Sequence, residues 1–106
     1  LNSRYLQLNA DNLRSAILKT DICNNANIQD EVVSCNDFSL TTCTNIDCDE
    51  LETIIETIIE NSLNLSRNYK FEAGNILLEK GTCENVYAAA SQPIPNSDVK
   101  VKLEIC

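Results

Sequence analysis

Six cysteines distributed over 106 residues constrain the fold of this chain more than any other feature of its sequence. Their number is even, and no two of them are spaced as the CxxC pair that zinc and redox sites favour. The positions are Cys23, Cys35, Cys43, Cys48, Cys83 and Cys106. A small domain with this cysteine content is most simply stapled by disulfides, which form in oxidising compartments. We therefore expect three disulfides and an extracellular or cell-surface location.

The pairing of the cysteines is open at this point, because six cysteines allow fifteen connectivities. Local geometry favours Cys83 with Cys106, since the last predicted strand can lie beside the turn that holds Cys83. The remaining four would then pair as near neighbours, Cys43 with Cys48 and Cys23 with Cys35.

Catalytic and cofactor chemistry finds little support in the residue types present. The chain has no histidine, so no imidazole is available to activate a cysteine or hydroxyl nucleophile. Zinc would also lack its usual ligand spacing. With only two glycines there is no glycine-rich phosphate loop. We expect no enzyme activity, no catalytic residues, no metal and no cofactor.

One weak alternative is a calcium site. Asn45, Asp47, Asp49 and Glu56 stand at the relative positions 1, 3, 5 and 12 of an EF-hand loop. The sixth position of that loop requires glycine for its sharp turn, but here it is Glu50. The acids are better explained as the capped start of a helix.

The net charge of −8 bears on the partners of the protein. Affinity for nucleic acid comes from Lys and Arg that neutralise phosphates, so we expect no nucleic-acid binding. Binding to anionic lipid is disfavoured for the same reason.

No apolar run is long enough to span a membrane, and the chain starts at Leu1. We expect a processed or truncated product that contacts a membrane only through a missing N-terminal segment, and that acts on a protein partner or by self-assembly.

The first half of the chain predicts helices separated by irregular segments. Alternation over 5–8 suggests a short strand, and apolar spacing after the potential N-cap at 9–11 predicts a helix over 11–19. The polar segment 21–30 is expected to be a loop held by Cys23, and 31–35 a strand. Residues 37–48 read as irregular.

The strongest element is a helix over 49–63. Its apolar residues recur at i, i+3, i+4, i+7 and i+8, while glutamates line the opposite side. Asp47 and Glu50 have the spacing of a capping box. The apolar face consists of Leu51, Ile54, Ile55, Ile58 and Ile59. Burial of these five side chains makes the helix a core element.

The second half switches to the period of two that is typical of strands. Residues 69–80 predict a hairpin turning at Gly74-Asn75, followed by a strand over 86–91 and a break at 93–96. In the last strand, over 99–105, we expect Val99, Val101, Leu103 and Ile105 to face inward. The order of elements predicts one α+β domain over 1–106, with two N-terminal helices packed on a C-terminal antiparallel β-meander and stapled by disulfides.

Asn64 begins the triplet Asn-Leu-Ser, the acceptor pattern for N-glycosylation. Such triplets also arise by chance, and this one weakly supports a glycoprotein exposed outside the cell.

The second half also resembles a known family. The runs 69–72, 81–83, 85–90, 93–95 and 99–106 are similar in their pattern of strands, cysteines and prolines to the C-terminal meander of archaeal type IV pilin-like surface proteins. Residues 13–17 are compatible with the start of the head domain in that family. The leader and the apolar anchoring helix of the family have no counterpart in the sequence. The resemblance implies a globular head that a hydrophobic N-terminal helix anchors or polymerises.

We therefore expect an extracellular structural or binding domain, in its most specific form the soluble head of a pilin-like cell-surface filament or anchored surface protein. The alternative is a secreted toxin, effector or inhibitor that binds a foreign protein. An extracellular hydrolase ranks below both.

Overall fold

The computed structural model describes residues 2–23, 26–63 and 67–106, and the side chains from residue 8 onward within these ranges. It is an α+β structure in which helices cover one face of an antiparallel sheet. In chain order the elements are α1 (Asn2–Lys19), β1 (Asp21–Cys23), β2 (Ala26–Asn27), α2 (Ile28–Phe38), α3 (Cys48–Ser62), β3 (Tyr69–Ala73), β4 (Ile76–Lys80), β5 (Ala88–Pro93) and β6 (Lys100–Ile105).

The N-terminal segment is one continuous helix, so the strand predicted over 5–8 is wrong. Four alternating residues are too short a signal to outweigh a stretch of 18 residues without glycine or proline, because extending an existing helix is easier than starting a new element. The potential N-cap at 9–11 lies inside α1. The helix predicted over 11–19 is its C-terminal half, where Leu13, Ile17 and Leu18 are buried.

Helix α2 replaces both a predicted strand and part of a predicted loop. Two adjacent valines suggested a strand over 31–35, but Ile28 and Val32 are one helical turn apart and both are fully buried. The side chain of Asn27 caps the helix by accepting a hydrogen bond from the Asp30 amide at 3.0 Å. The segment before it holds the short antiparallel pair β1–β2 instead of a loop over 21–30.

Helix α3 confirms the prediction for 49–63 within one residue at each end. Leu51, Ile55 and Ile59 are fully buried, whereas Ile54 and Ile58 are half-buried at the edge of the same cluster. The capping box is present: Asp47 accepts from the Glu50 amide at 2.8 Å, and the Glu50 side chain accepts from the Asp47 amide at 3.3 Å.

The main sheet has four strands in the order β4-β3-β6-β5, with all three pairings antiparallel. The predicted meander is therefore wrong, although the hairpin over 69–80 and the last strand are confirmed, and the strand predicted over 86–91 lies at 88–93. Strand β6 lies between β3 and β5, so the chain crosses from one edge of the sheet to the other after β4. A central position suits β6, because its inward residues Val101, Leu103 and Ile105 are fully buried.

The helices pack on the face formed by these inward residues, and small side chains permit the closest approach. Ala10 of α1 forms a buried cluster with Ala88 and Ala90 of β5 and with Ile105. The larger cluster joins all three helices to β3, β4 and β6. The core is aliphatic except for Tyr69 and Phe71, as the composition requires.

The opposite face of the sheet is charged and open to solvent. Lys70 lies across from Glu79 and Glu104, and Glu72 lies across from Lys102. Within single strands, Lys70 is 3.6 Å from Glu72 and Lys102 is 3.5 Å from Glu104. Opposite charges in register stabilise the pairing of the strands, and the exposed apolar side chain of Leu77 lies on the same face, across from Glu72.

Candidate functional site

The most unusual surface of the molecule is the connection between α2 and α3, together with the last residue of α2. We call residues 38–47 the pinned loop. Phe38 is 71% exposed and Leu40 is 58% exposed, although most large apolar side chains of this small chain are buried. Ser39, between them, has a left-handed backbone with φ of 60° and ends α2 by donating its amide to the Cys35 carbonyl at 3.1 Å.

Two disulfides hold the pinned loop to the rest of the domain. Cys23 of β1 pairs with Cys43 inside the loop, with a Cα–Cα distance of 6.0 Å. Cys35 of α2 pairs with Cys48, the first residue of α3, at 5.9 Å. The predicted pairs Cys43–Cys48 and Cys23–Cys35 are therefore wrong. Because 28–38 is a helix, Cys35 lies more than one turn beyond the β1–β2 pair and faces the start of α3 instead.

The third predicted pair, Cys83 with Cys106, is present with a Cα–Cα distance of 5.4 Å. It ties the connection after β4 to the end of β6. Close by, the Cys106 amide donates to the Asn68 carbonyl and the Tyr87 amide to the Ile105 carbonyl, each at 2.9 Å. This disulfide therefore lies at the sheet, beyond the ends of β4 and β6.

A buried carboxylate of α2 anchors the loop through hydrogen bonds. Glu31 of α2 is fully buried, and its carboxylate accepts hydrogen bonds from the backbone amide of Thr42 and, at 2.7 Å, from the Thr42 hydroxyl. Glu31 lies in the first turn of α2, where the helix dipole favours negative charge. Its burial is thus compensated by charge-assisted hydrogen bonds, which are stronger than those between neutral groups.

Hydroxyl groups of α2 and of the loop itself donate hydrogen bonds to backbone carbonyls of the loop. The Ser34 hydroxyl donates to the Leu40 carbonyl at 2.6 Å. The hydroxyl of Thr41, itself buried, lies within hydrogen-bonding distance of the carbonyls of Cys43 and Ile46. These bonds and the two disulfides fix the loop backbone, while Phe38 and Leu40 remain at the surface.

The neighbouring β3–β4 turn is joined to the same end of the molecule. The Asn36 side chain donates to the Ala73 carbonyl at 3.0 Å and accepts from the Asn75 amide at 2.6 Å. Gly74 has a left-handed backbone with φ of 62°, and a Cβ atom there would collide with the Asn36 side chain. The C-terminal end of α2 is therefore fixed to the sheet just before the pinned loop begins.

Exposed acids flank the two apolar side chains. Asp37 precedes Phe38, while Asp47 and Asp49 lie where the loop enters α3, and all three are exposed. The loop therefore combines two exposed large apolar side chains with a fixed backbone, and exposed acids lie in sequence near both of its ends.

The four residues of the calcium alternative are not brought together as an EF-hand. Asn45 and Asp47 lie in the loop, whereas Asp49 and Glu56 belong to α3, about two helical turns apart. Asp47 is engaged as the helix cap. Among the described residues, no three Cys, Asp or Glu side chains form a group that could hold a metal ion.

Two titratable groups outside the loop have raised pKa values. Burial raises the pKa of Tyr69, whose hydroxyl donates to Glu60 at 3.0 Å, and the negative charge of Glu60 adds to the effect. Burial, and then the charges of Asp49 and Glu56, raise the pKa of Glu52 on α3. A tyrosine with a raised pKa stays protonated at neutral pH, so it serves here as a hydrogen-bond donor within the core.

We expect Glu31→Ala to lower the free energy of unfolding by about 1–3 kcal/mol, because the amide and hydroxyl of Thr42 would lose the buried carboxylate that accepts their hydrogen bonds. Glu31→Gln, which keeps the shape and one acceptor oxygen, should cost less. Urea denaturation of both variants measures the difference. Glu56→Ala, at an exposed acid on α3, is the matched control and should leave stability within about 0.5 kcal/mol of the parent. Equal losses in the Glu31→Ala and Glu56→Ala variants would contradict the anchoring role.

The sequence did not single out Phe38, Leu40 or Glu31. The cysteines around this short polar segment indicate a loop that disulfides hold in place. They do not indicate which side chains of the loop are exposed. Asn64, the predicted glycosylation acceptor, lies outside the described residues.

Comparison with known proteins found no family model, no curated protein and no solved structure that matches this chain. Within the described ranges, no helix has both the length and the apolar character needed to cross a membrane.

Proposed function

We propose that this chain is an extracellular structural or binding domain that recognises a protein partner through the pinned loop. The observation that carries the proposal is the exposure of Phe38 and Leu40 on a backbone fixed by two disulfides and by Glu31. A loop that is already ordered loses little conformational entropy on binding, so its apolar contacts contribute more fully to affinity. Aromatic and large aliphatic side chains of this kind often carry most of the binding free energy of an interface.

The charge of the loop surroundings indicates the kind of partner. The exposed acids Asp37, Asp47 and Asp49 and the net charge of −8 favour a protein surface with an apolar pocket and a basic rim. A second copy of this chain carries the same acids around the same loop, so self-association through two pinned loops would be opposed by like charges.

The more specific form of the proposal is the soluble head of a pilin-like surface protein. It is supported by the long helix α1, which packs on the sheet from Ala10 to Leu18, and by the disulfide between Cys83 and Cys106 in the segment that carries the resemblance. The strand order lends no support, because the sheet is not the meander that the resemblance implied.

A secreted toxin, effector or inhibitor that binds a foreign protein is the second candidate. The same pinned loop supports it, since a rigid apolar loop suits the recognition of a preformed pocket on another protein. The gene region upstream of Leu1 separates the two: a charged leader followed by about 20 apolar residues favours the anchored head. A short cleavable signal favours the free secreted protein.

The binding proposal is tested with the oxidised protein immobilised as the parent and as two double variants. Phe38→Ser with Leu40→Ser removes the apolar groups of the loop. Leu77→Ser with Val86→Ser removes two exposed apolar side chains elsewhere and is the matched control. Proteins retained by the parent are identified, purified and titrated against all three forms by calorimetry.

We expect the loop variant to bind at least tenfold more weakly than the parent and the control to bind like the parent. Circular dichroism and unfolding curves should be unchanged in the loop variant, because its two side chains are exposed. Binding that survives in the loop variant and fails in the control would overturn the assignment.

A further inference from the structure

A pocket of about 260 Å³ lies between α1, the start of α2 and the end of β5, away from the pinned loop. Arg14 and Lys19 of α1 and Gln29 of α2 line its polar side. Leu18, Pro93 at the end of β5 and Pro95 just beyond it supply apolar walls. No acidic side chain contributes to the lining, although the chain has twice as many acids as bases.

The guanidinium of Arg14 is held in place across this pocket. Its Nη2 donates to the Gln92 side-chain oxygen at 2.8 Å, which links α1 to the end of β5. Its Nε is buried without a hydrogen-bond partner among the described residues. The cation is therefore fixed in position and partly withdrawn from water, which strengthens its attraction for a counter-ion that reaches its open edge.

Three other cations are already engaged within the protein. Lys70 and Lys102 form ion pairs on the open face of the sheet, and Arg67 lies over the ring of Tyr87 at 5.4 Å from its centroid. In the part of the chain that the structure describes, neither Arg14 nor Lys19 forms an ion pair with an acid. The pocket thus gathers two positive charges that the protein itself does not neutralise.

We propose that this pocket binds a small carboxylate that carries a short apolar substituent. The planar guanidinium of Arg14 matches the geometry of a carboxylate, and Lys19 adds a second positive charge. Leu18 and the prolines provide the apolar contact, which a bare inorganic anion cannot use. Two sources share this chemistry, a free short-chain acid and the C-terminal carboxylate of a peptide.

The test is a titration of the ¹⁵N-labelled oxidised protein with hexanoate, followed by NMR through the amides of α1, Gln29 and Gln92. Hexanamide, which has the same chain without the charge, is the comparison ligand. A short peptide ending in leucine, as the free acid and as the C-terminal amide, separates the two sources. Arg14→Gln and Lys19→Gln are the pocket variants, and Lys70→Gln on the open sheet face is the control.

We expect saturable shifts confined to the pocket with hexanoate and none with hexanamide. Arg14→Gln should weaken binding at least tenfold, Lys19→Gln should weaken it to a smaller extent, and Lys70→Gln should leave it unchanged. If Arg14→Gln fails to fold, hexanoate binding is compared between the pocket variant Lys19→Gln and the control Lys70→Gln. If the free-acid peptide saturates the pocket shifts at a lower concentration than hexanoate does, a peptide C-terminus is the preferred source. If hexanoate saturates them at the lower concentration, a free acid is the preferred source.

Absence of shifts at the pocket, or equal shifts with hexanoate and hexanamide, would overturn the proposal. So would binding that is the same in the parent and in both pocket variants. None of these results depends on Phe38 or Leu40, so the outcome is independent of the proposed function.

Discussion

Replacement of Cys35 and Cys48 together by alanine is expected to lower the free energy of unfolding by about 2–5 kcal/mol. The disulfide closes a segment with a sequence separation of 13 and joins the end of α2 to the start of α3. Without it the unfolded chain gains conformational freedom, and the pinned loop is held only through Cys43 and the hydrogen bonds to Glu31 and Ser34. Guanidinium denaturation of the double variant, with the other two disulfides verified, measures the loss.

The same variant should also loosen the pinned loop locally. Amide hydrogen exchange at Leu40 and Thr41 should accelerate, while exchange in β3 and β6 should change only as far as global stability falls. The double variant Cys83→Ala/Cys106→Ala is the matched control, since its disulfide lies at the sheet. A loop that exchanges equally fast in both double variants would contradict the pinning role of Cys35–Cys48.

Ile55→Ala is the second change with a large expected effect, a loss of about 2–5 kcal/mol in the free energy of unfolding. Ile55 is fully buried in the middle of α3, within the cluster that joins the helices to the sheet. Truncation removes its transfer free energy and leaves a cavity that the surrounding side chains fill only in part. Urea denaturation monitored by circular dichroism measures the loss.

Ile58→Ala is the matched control on the same helix, because it removes the same atoms from a half-buried position. We expect a smaller loss than for Ile55→Ala, since less apolar surface is removed from water at this position. Equal losses at the two positions would show that the orientation of α3 differs from the one described.

Prediction from the sequence succeeded where one periodic pattern extended over a whole element. The apolar repeat of α3 and the strict alternation of β6 each place one face in the core, and the structure confirms both. The Asp47–Glu50 capping box and the Gly74 turn were also predictable, because each depends on residues close together in sequence.

Features that depend on distant contacts could not be predicted in the same way. Val32 and Val33 suggest a strand locally, but the cap at Asn27 and the packing of Ile28 and Val32 make the segment a helix. The wrong pairing of Cys23 with Cys35 followed their proximity in sequence, whereas the helix over 28–38 brings Cys35 to the start of α3.

The central position of β6 and the exposure of Phe38 follow from packing of the whole domain. Strand order depends on which strands bury the most apolar surface against the helices, and no local pattern records that choice. The functional proposals rest on such nonlocal features: a loop fixed from several directions, and a pocket in which two cations of α1 face the start of α2 and the end of β5.

Two crossed disulfides, Cys23–Cys43 and Cys35–Cys48, fix the pinned loop. Cleavage on the amino side of aspartate would place each of the six cysteines in a separate peptide, because at least one aspartate lies between every two successive cysteines. Mass spectrometry of the unreduced digest then reads the pairing directly. We predict that peptide 21–29 is joined to 37–46 and peptide 30–36 to 47–48. Joining of 21–29 to 30–36 and of 37–46 to 47–48 would show that the disulfides do not cross and that the loop is not fixed in this way.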